Sequence, residues 1–187
     1  MKMKYVLLMT GLLLFSCKSP EARTPVSQET GSYINEAVER NRKIVAEEEA
    51  KIQQIIKSDT TREYLSSANG FWYYYNKKDT TRARTPEFGD VVEFDYNLKT
   101  LEGRDIYTDE EIVPRTYAID QEELFSGLRQ GLKLMKEGET VTFLFPSHKA
   151  FGYYGDKKRI GSDVPLISTV TLIDISEAPE ANQENNN

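Results

Sequence analysis

Between Leu124 and Met135 the apolar residues Leu124, Phe125, Leu128, Leu132 and Met135 recur at the spacing of one helical face. On both sides the pattern switches to alternation. Val92, Phe94, Tyr96 and Leu98 alternate with Glu93, Asp95 and Asn97, and Val141, Phe143 and Phe145 repeat the pattern after Gly138, which stops the helix. Leu166, Val170 and Leu172 point inward along the terminal run Leu166–Ile175. Phe71–Tyr75 is rich in strand-favouring aromatic residues, Arg115–Ile119 reads as a shorter strand, and Gly103 suits a turn after Leu101-Glu102. One short helix among this many strands buries its face only by crossing a sheet. The pattern predicts an α+β fold, a twisted antiparallel β-sheet wrapped on one short α-helix.

The first residues carry an address. Lys2 and Lys4 precede an apolar run from Tyr5 to Phe15, followed by Ser16-Cys17. A charged start, a short apolar core and a small residue at the cut are the features of a signal peptide, and the run is shorter than the ~20 residues needed to span a bilayer. A cysteine directly after the cut resembles a bacterial lipoprotein signal, with Cys17 as the lipidation site. It is the chain's single cysteine, so no internal disulfide forms. The expected location is the cell envelope, lipid-anchored, with the folded domain outside the cytoplasm and periplasmic.

The charge is −6 over the whole chain; without Lys2 and Lys4, 22 basic side chains face 30 acidic ones, a net of −8. Such a balance argues against nucleic acid and against an electrostatic hold on anionic lipid. The expected organisation is a signal peptide at 1–16, a flexible tether at 17–32, a helical arm at 33–68, the folded domain at 69–176 and a disordered tail at 177–187.

In the arm, Ile34, Ala37, Val38, Ile44, Val45, Ile52, Ile55 and Ile56 form one helical stripe. Val38, Val45 and Ile52 stand seven apart, as do Ile34, Asn41, Glu48 and Ile55, where two polar residues break the seam a coiled coil needs. The arm therefore reads as a helix lying on its own domain or a charged spacer, with dimerisation possible but not favoured. Asp59-Thr60-Thr61-Arg62 predicts the cap of a second short helix, Arg62–Ser67. The same tetrad recurs at Asp79–Arg82, which reads as chance rather than a repeat.

The stretch from Phe125 carries a resemblance. Phe125-Ser126-Gly127-Leu128-Arg129-Gln130-Gly131-Leu132-Lys133-Leu134-Met135 is followed by Pro146-Ser147-His148-Lys149-Ala150-Phe151-Gly152, then Ile160-Gly161-Ser162-Asp163 and the final strand. This order resembles the FKBP family of macrolide-binding peptidyl-prolyl isomerases, with patterns (V/I)-x-G-W-x-x-(G/A)-(L/V)-x-x-M, P-x-x-x-A-Y-G and I-P-P-N-x-x-L-x-F-x-V-E-L. It covers roughly Gly70 to Ile175. Together with the lipoprotein signal and the arm, the whole chain resembles the gliding-motility-associated FKBP-type lipoproteins.

The resemblance implies site residues. Tyr96 takes the first pocket tyrosine, and Leu124 and Phe125 take the pair at the pocket floor, where a backbone N–H grips the substrate carbonyl. Phe151 takes the ring of A-Y-G, and Ile160 opens the last motif. These make Tyr96, Phe125, Phe151 and Ile160 the expected catalytic residues, with Ile106, Tyr107, Leu124, Leu128 and Ser168 as substrate contacts. The chain departs from the family at several positions: Phe151 replaces the tyrosine of A-Y-G and loses its hydroxyl, and Gly161-Ser162 replaces the two prolines. Ile106-Tyr107 replaces Phe-Asp, so the pocket carboxylate is missing; Leu128 replaces tryptophan; Ser168 replaces phenylalanine; and Arg159 replaces an apolar residue. Phe143, Tyr107, Tyr153 or Tyr154 is available to refill the lost ring volume.

Isomerisation of an X-Pro bond breaks no covalent bond; the barrier of ~18–20 kcal/mol is lost amide resonance. A twisted amide is less polar than a planar one, so a dry aromatic cup favours it. No cofactor, metal or nucleophile is called for, and the chain's single histidine, His148, is expected on a surface loop. The expected activity is a prolyl isomerase and folding helper, weakened by these departures. The alternative is a catalytically degenerate binding module in an envelope assembly serving gliding motility or secretion. The expected partners are proline-containing polypeptides or envelope proteins.

Overall fold

The computed structural model describes residues 30–112 and 114–177. The signal peptide, Cys17, most of the tether and the tail from 178 lie outside the described residues. The chain divides into two compact units between residues 39 and 40. In the first, the described residues are the opening turns of helix α1 (Thr30–Ser58), where Tyr33, Ile34 and Val38 are exposed.

The second unit begins inside α1 and continues through strands β1 (Leu65–Ser66), β2 (Trp72–Lys77), β3 (Val91–Tyr96), β4 (Leu98–Lys99), β5 (Asp105–Tyr107) and β6 (Arg115–Ala118). Helix α2 (Ser126–Leu132), β7 (Thr140–Phe145), two single 3-10 turns (Ser147–Lys149 and Gly152–Tyr154) and the long β8 (Leu166–Ser176) complete it. The strands form one antiparallel sheet in the order β1-β2-β7-β8-β3-β6, with β4 bridging β8 and β5. The predicted α+β architecture is the observed one.

The alternation read from sequence becomes the inner face of this sheet. In β3, Val92, Phe94 and Tyr96 are buried while Glu93 is exposed; in β8, Leu166, Ser168, Val170 and Leu172 are buried. Helix α2 lays Gly127, Leu128, Gly131 and Leu132 on that face. The approach is close enough to require glycine: a Cβ on Gly127 would stand 2.5 Å from the Phe145 ring and 2.7 Å from the Lys149 carbonyl oxygen. Phe143 and Phe145 stack at 5.4 Å between centroids, and Phe71 meets Phe145 edge-on at 5.3 Å. These rings are the centre of the core.

The second half of α1 belongs to this body. Ile52 is fully buried, and Glu48, one of the two residues that break the heptad seam, is buried too. Its Oε2 accepts the Ser147 amide at 2.7 Å, so a helix carboxylate caps the first 3-10 turn.

The expected second helix at Arg62–Ser67 does not form. Asp59 spends its oxygens on its own turn, accepting the Thr61 amide at 3.1 Å and hydroxyl at 2.6 Å, the Arg62 guanidinium and the Tyr64 hydroxyl. A short acidic side chain that bonds locally competes with helix continuation. The chain then enters β1, where Leu65 pairs with Tyr73 and Ser66 with Trp72. The sheet thus begins inside the segment assigned to the arm. The second copy of the tetrad makes the same turn: Asp79 accepts the Thr81 amide and hydroxyl, both at 2.6 Å, and the Arg82 guanidinium at 3.1 Å.

Candidate active site

A cavity of about 620 Å³ opens where the ends of β3, β4 and β5, the entry to α2 and the loop after the first 3-10 turn converge. Its apolar wall is Tyr96, Leu98, Tyr107, Ile112, Leu124, Phe125 and Phe151. Arg115, Glu122, Glu123, Arg129, Asp156 and Lys158 supply charged groups along it.

Each ring has a local reason for its place. Tyr96 ends β3 just after an irregularity in its pairing with β8 at Glu93/Phe94, and its ring lies 5.5 Å from Phe94. Phe125 is the N-cap of α2, in extended backbone (φ −62°, ψ 144°) with no side-chain cap, which carries the Leu124-Phe125 backbone to the wall. Its ring meets Phe145 edge-on at 5.4 Å and Phe151 at 5.1 Å, joining core to cavity. Phe151 sits between the two 3-10 turns.

Five of the nine expected residues therefore share one hollow: Tyr96, Tyr107, Leu124, Phe125 and Phe151. The other four do not line it. Leu128 and Ile160 are buried in the core cluster, and Ile106 packs against that cluster. Ser168 is fully buried and donates its hydroxyl to the Asn97 carbonyl oxygen at 2.7 Å, tying β8 to the β3–β4 connection. Of the side chains available to refill the lost rings, Tyr107 reaches the cavity and Phe143 is in the core, while Tyr153 and Tyr154 are exposed. His148 is exposed in the first 3-10 turn.

Sequence reasoning missed the polar lock on the segment from Phe151 to Ile160, the roof of the cavity. The Tyr107 hydroxyl donates to Asp156 Oδ2, while Asp156 Oδ1 accepts the Lys158 and Ile160 amides, each at 2.8 Å. Burial pushes the Asp156 carboxyl up, but the Tyr107 hydroxyl and the backbone amides outweigh it and hold the group below its usual range. The same hydrogen bond, with partial burial, raises the Tyr107 phenol. Arg159, whose apolar counterpart was expected to line the loop, lies over the Tyr107 ring at 4.8 Å. It donates to the Ile106 carbonyl at 2.9 Å and to both oxygens of Glu111 at 2.9 and 3.0 Å. That ion pair lowers the Glu111 carboxyl. The available signal was a glycine directly before an acidic residue, Gly155-Asp156, in the loop that follows Phe151.

Apolar rings with a few convergent polar groups are the general make-up of a ligand site. Residues 82–173 match the family model of the FKBP-type peptidyl-prolyl cis-trans isomerases. The chain is 26% identical over 147 residues to a probable FKBP-type peptidyl-prolyl cis-trans isomerase FkpA of Neisseria meningitidis, covering 77% of this chain and 52% of that protein. It is 31% identical over 96 residues to the bovine (Bos taurus) peptidyl-prolyl cis-trans isomerase FKBP11, covering 51% of this chain and 47% of that protein. The chain thus spans about half the length of these curated relatives. In fold it is similar to FkpA from Escherichia coli, with a TM-score of 0.60 at 21% identity over 94% of this chain and 83% of that one. A peptidyl-prolyl isomerase from Pseudomonas syringae gives 0.58 at 20% identity over 73% and 96%. Sequence match and fold likeness converge on one statement: residues 82–173 belong to a domain of the FKBP-type peptidyl-prolyl cis-trans isomerase family.

Proposed function

We propose that this protein is a peptidyl-prolyl cis-trans isomerase and folding helper, held in the cell envelope by lipid on Cys17 with its folded domain on the periplasmic side. The observation that carries the activity is the hollow walled by Tyr96, Tyr107, Phe125 and Phe151. A proline ring seated there leaves water, and its amide loses part of the solvation that favours the planar form. Turnover is weak, because six charged side chains share the wall and neither Leu128 nor Ser168 replaces the ring it displaced. Exchange spectroscopy on a short proline peptide tests the reading: the full chain accelerates cis/trans exchange, and Phe151→Ala removes that acceleration while the domain stays folded. Equal rates with and without the wild-type chain would end the isomerase reading.

The charged wall also favours a second role, a binding module in an envelope assembly for secretion or gliding motility. Its clients are proline-containing segments of envelope proteins. Peptide binding without accelerated exchange selects this role. The lipoprotein signal supports the anchor. Cys17→Ser releases the protein into the soluble fraction, and unchanged membrane retention would assign the hold to another segment.

A further inference from the structure

Asp156 is a cavity carboxylate whose orientation is fixed by the fold. Its Oδ1 takes two amides of its own loop, Lys158 and Ile160, and its own amide donates to the Ile160 carbonyl at 3.1 Å. Gly155 makes this turn feasible: its backbone (φ 61°, ψ −164°) is essentially glycine-only, and a Cβ there would stand 2.1 Å from the Ile160 carbonyl oxygen. The turn leaves Oδ2 for the Tyr107 hydroxyl, on the strand side of the cavity. Arg159, anchored on Glu111 and the Ile106 carbonyl, covers the Tyr107 ring. Ring and carboxylate are thus each held from behind.

A phenol has one hydrogen and two lone pairs. With its hydrogen committed to Asp156, Tyr107 presents its oxygen on the cavity wall as an acceptor. Proline has no amide hydrogen, so the nearest backbone donor in an X-Pro-Y segment is the N–H of residue Y.

Building on the isomerase reading, we propose that Asp156 is a positioning residue of the proline site. It fixes the Tyr107 hydroxyl as an acceptor for the substrate N–H that follows the proline while the X-Pro bond turns. The carboxylate that the sequence lacks at position 107 is thereby supplied across the cavity from the roof.

The test uses the full chain carrying Asp156→Asn, Asp156→Ala, Tyr107→Phe and the pair Asp156→Asn/Tyr107→Phe. Asparagine keeps the Oδ1 acceptor for the two loop amides but turns an NH2 donor toward Tyr107, claiming its lone pair. A loop knot alone is therefore rescued by asparagine, and an oriented hydroxyl is not. The expected result is a kcat/KM about tenfold lower for both Asp156 variants. Lys158 and Ile160 amides stay protected from hydrogen exchange in the asparagine variant and lose protection in the alanine variant. The double variant is no slower than Tyr107→Phe. Wild-type kcat/KM in Asp156→Asn, or additive losses in the double variant, overturns the proposal. Should the wild-type chain accelerate no exchange, the isomerase reading falls separately. Positioning is then decided by titration with the same proline peptide: about tenfold weaker binding in Asp156→Asn supports it, and an unchanged titration overturns it.

Discussion

The two walls of the cavity are built by different physics. One side rests on packing: Tyr96 on Phe94, Phe125 on Phe145, and α2 pressed onto β7 through Gly127. The roof, from Phe151 to Ile160, is held by hydrogen bonds and charges, with Asp156 on Tyr107 and on two amides, and Arg159 on Glu111. Apolar packing is indifferent to proton concentration and hard to loosen locally. A polar lock in a partly solvated loop opens at low cost and answers to pH. A cavity with one stiff wall and one yielding wall keeps its shape on one side while the other opens.

The largest expected effect is on the packed wall. Leu128→Ala empties a fully buried site and lowers the unfolding free energy by about 2–5 kcal/mol. Calorimetry or denaturant titration reads this, and the Lys158 and Ile160 amides should still open at the wild-type rate under native conditions. Gly155→Ala comes next and breaks the opposite wall. The strained backbone costs about 1–3 kcal/mol, and the clash with the Ile160 carbonyl forces the roof to shift. Faster exchange at those two amides, with protection in β7 and β8 reduced only through global stability, would separate the walls.

Acid gives the smallest effect and the sharpest comparison. Asp156 and Glu111 are both held below their ordinary values, so their stabilisation is complete above the unfolded values of ~4 and is lost as pH falls through the lower folded ones. As pH falls below about 4 the roof resonances should broaden or shift while those of the Phe143–Phe145 core hold. Simultaneous loss of both would show that the roof is not a separate unit of stability.

The packed wall was also the legible one. Periodicity alone placed β3, β7, β8 and α2, because burial on one face writes itself into the spacing of Val92, Phe94 and Tyr96 and of Leu128 and Leu132. The roof lock was not legible, since its partners stand far apart in sequence: Tyr107 with Asp156, and Glu111 with Arg159. Motif likeness put Ser168 and Leu128 at the cavity, but a small side chain at a large residue's position withdraws into the core or bonds to backbone. The turn at Asp59 was misread for a related reason. Asp-Thr-Thr-Arg suits a helix cap and a closed turn equally, and pairing of Leu65 with Tyr73 selects the turn.

Glu48 sets where an independently folding fragment can begin. The matched family segment starts at residue 82, yet the Ser147 amide, four residues ahead of Phe151, finds its acceptor on α1. A protein trimmed to the sheet would bare that amide and leave vacant the space that Ile52 fills. The turn that leads into Phe151 is therefore braced by a carboxylate more than thirty residues upstream of the family segment, and deletions meant to isolate the FKBP-type domain should preserve α1 from Arg40 onward.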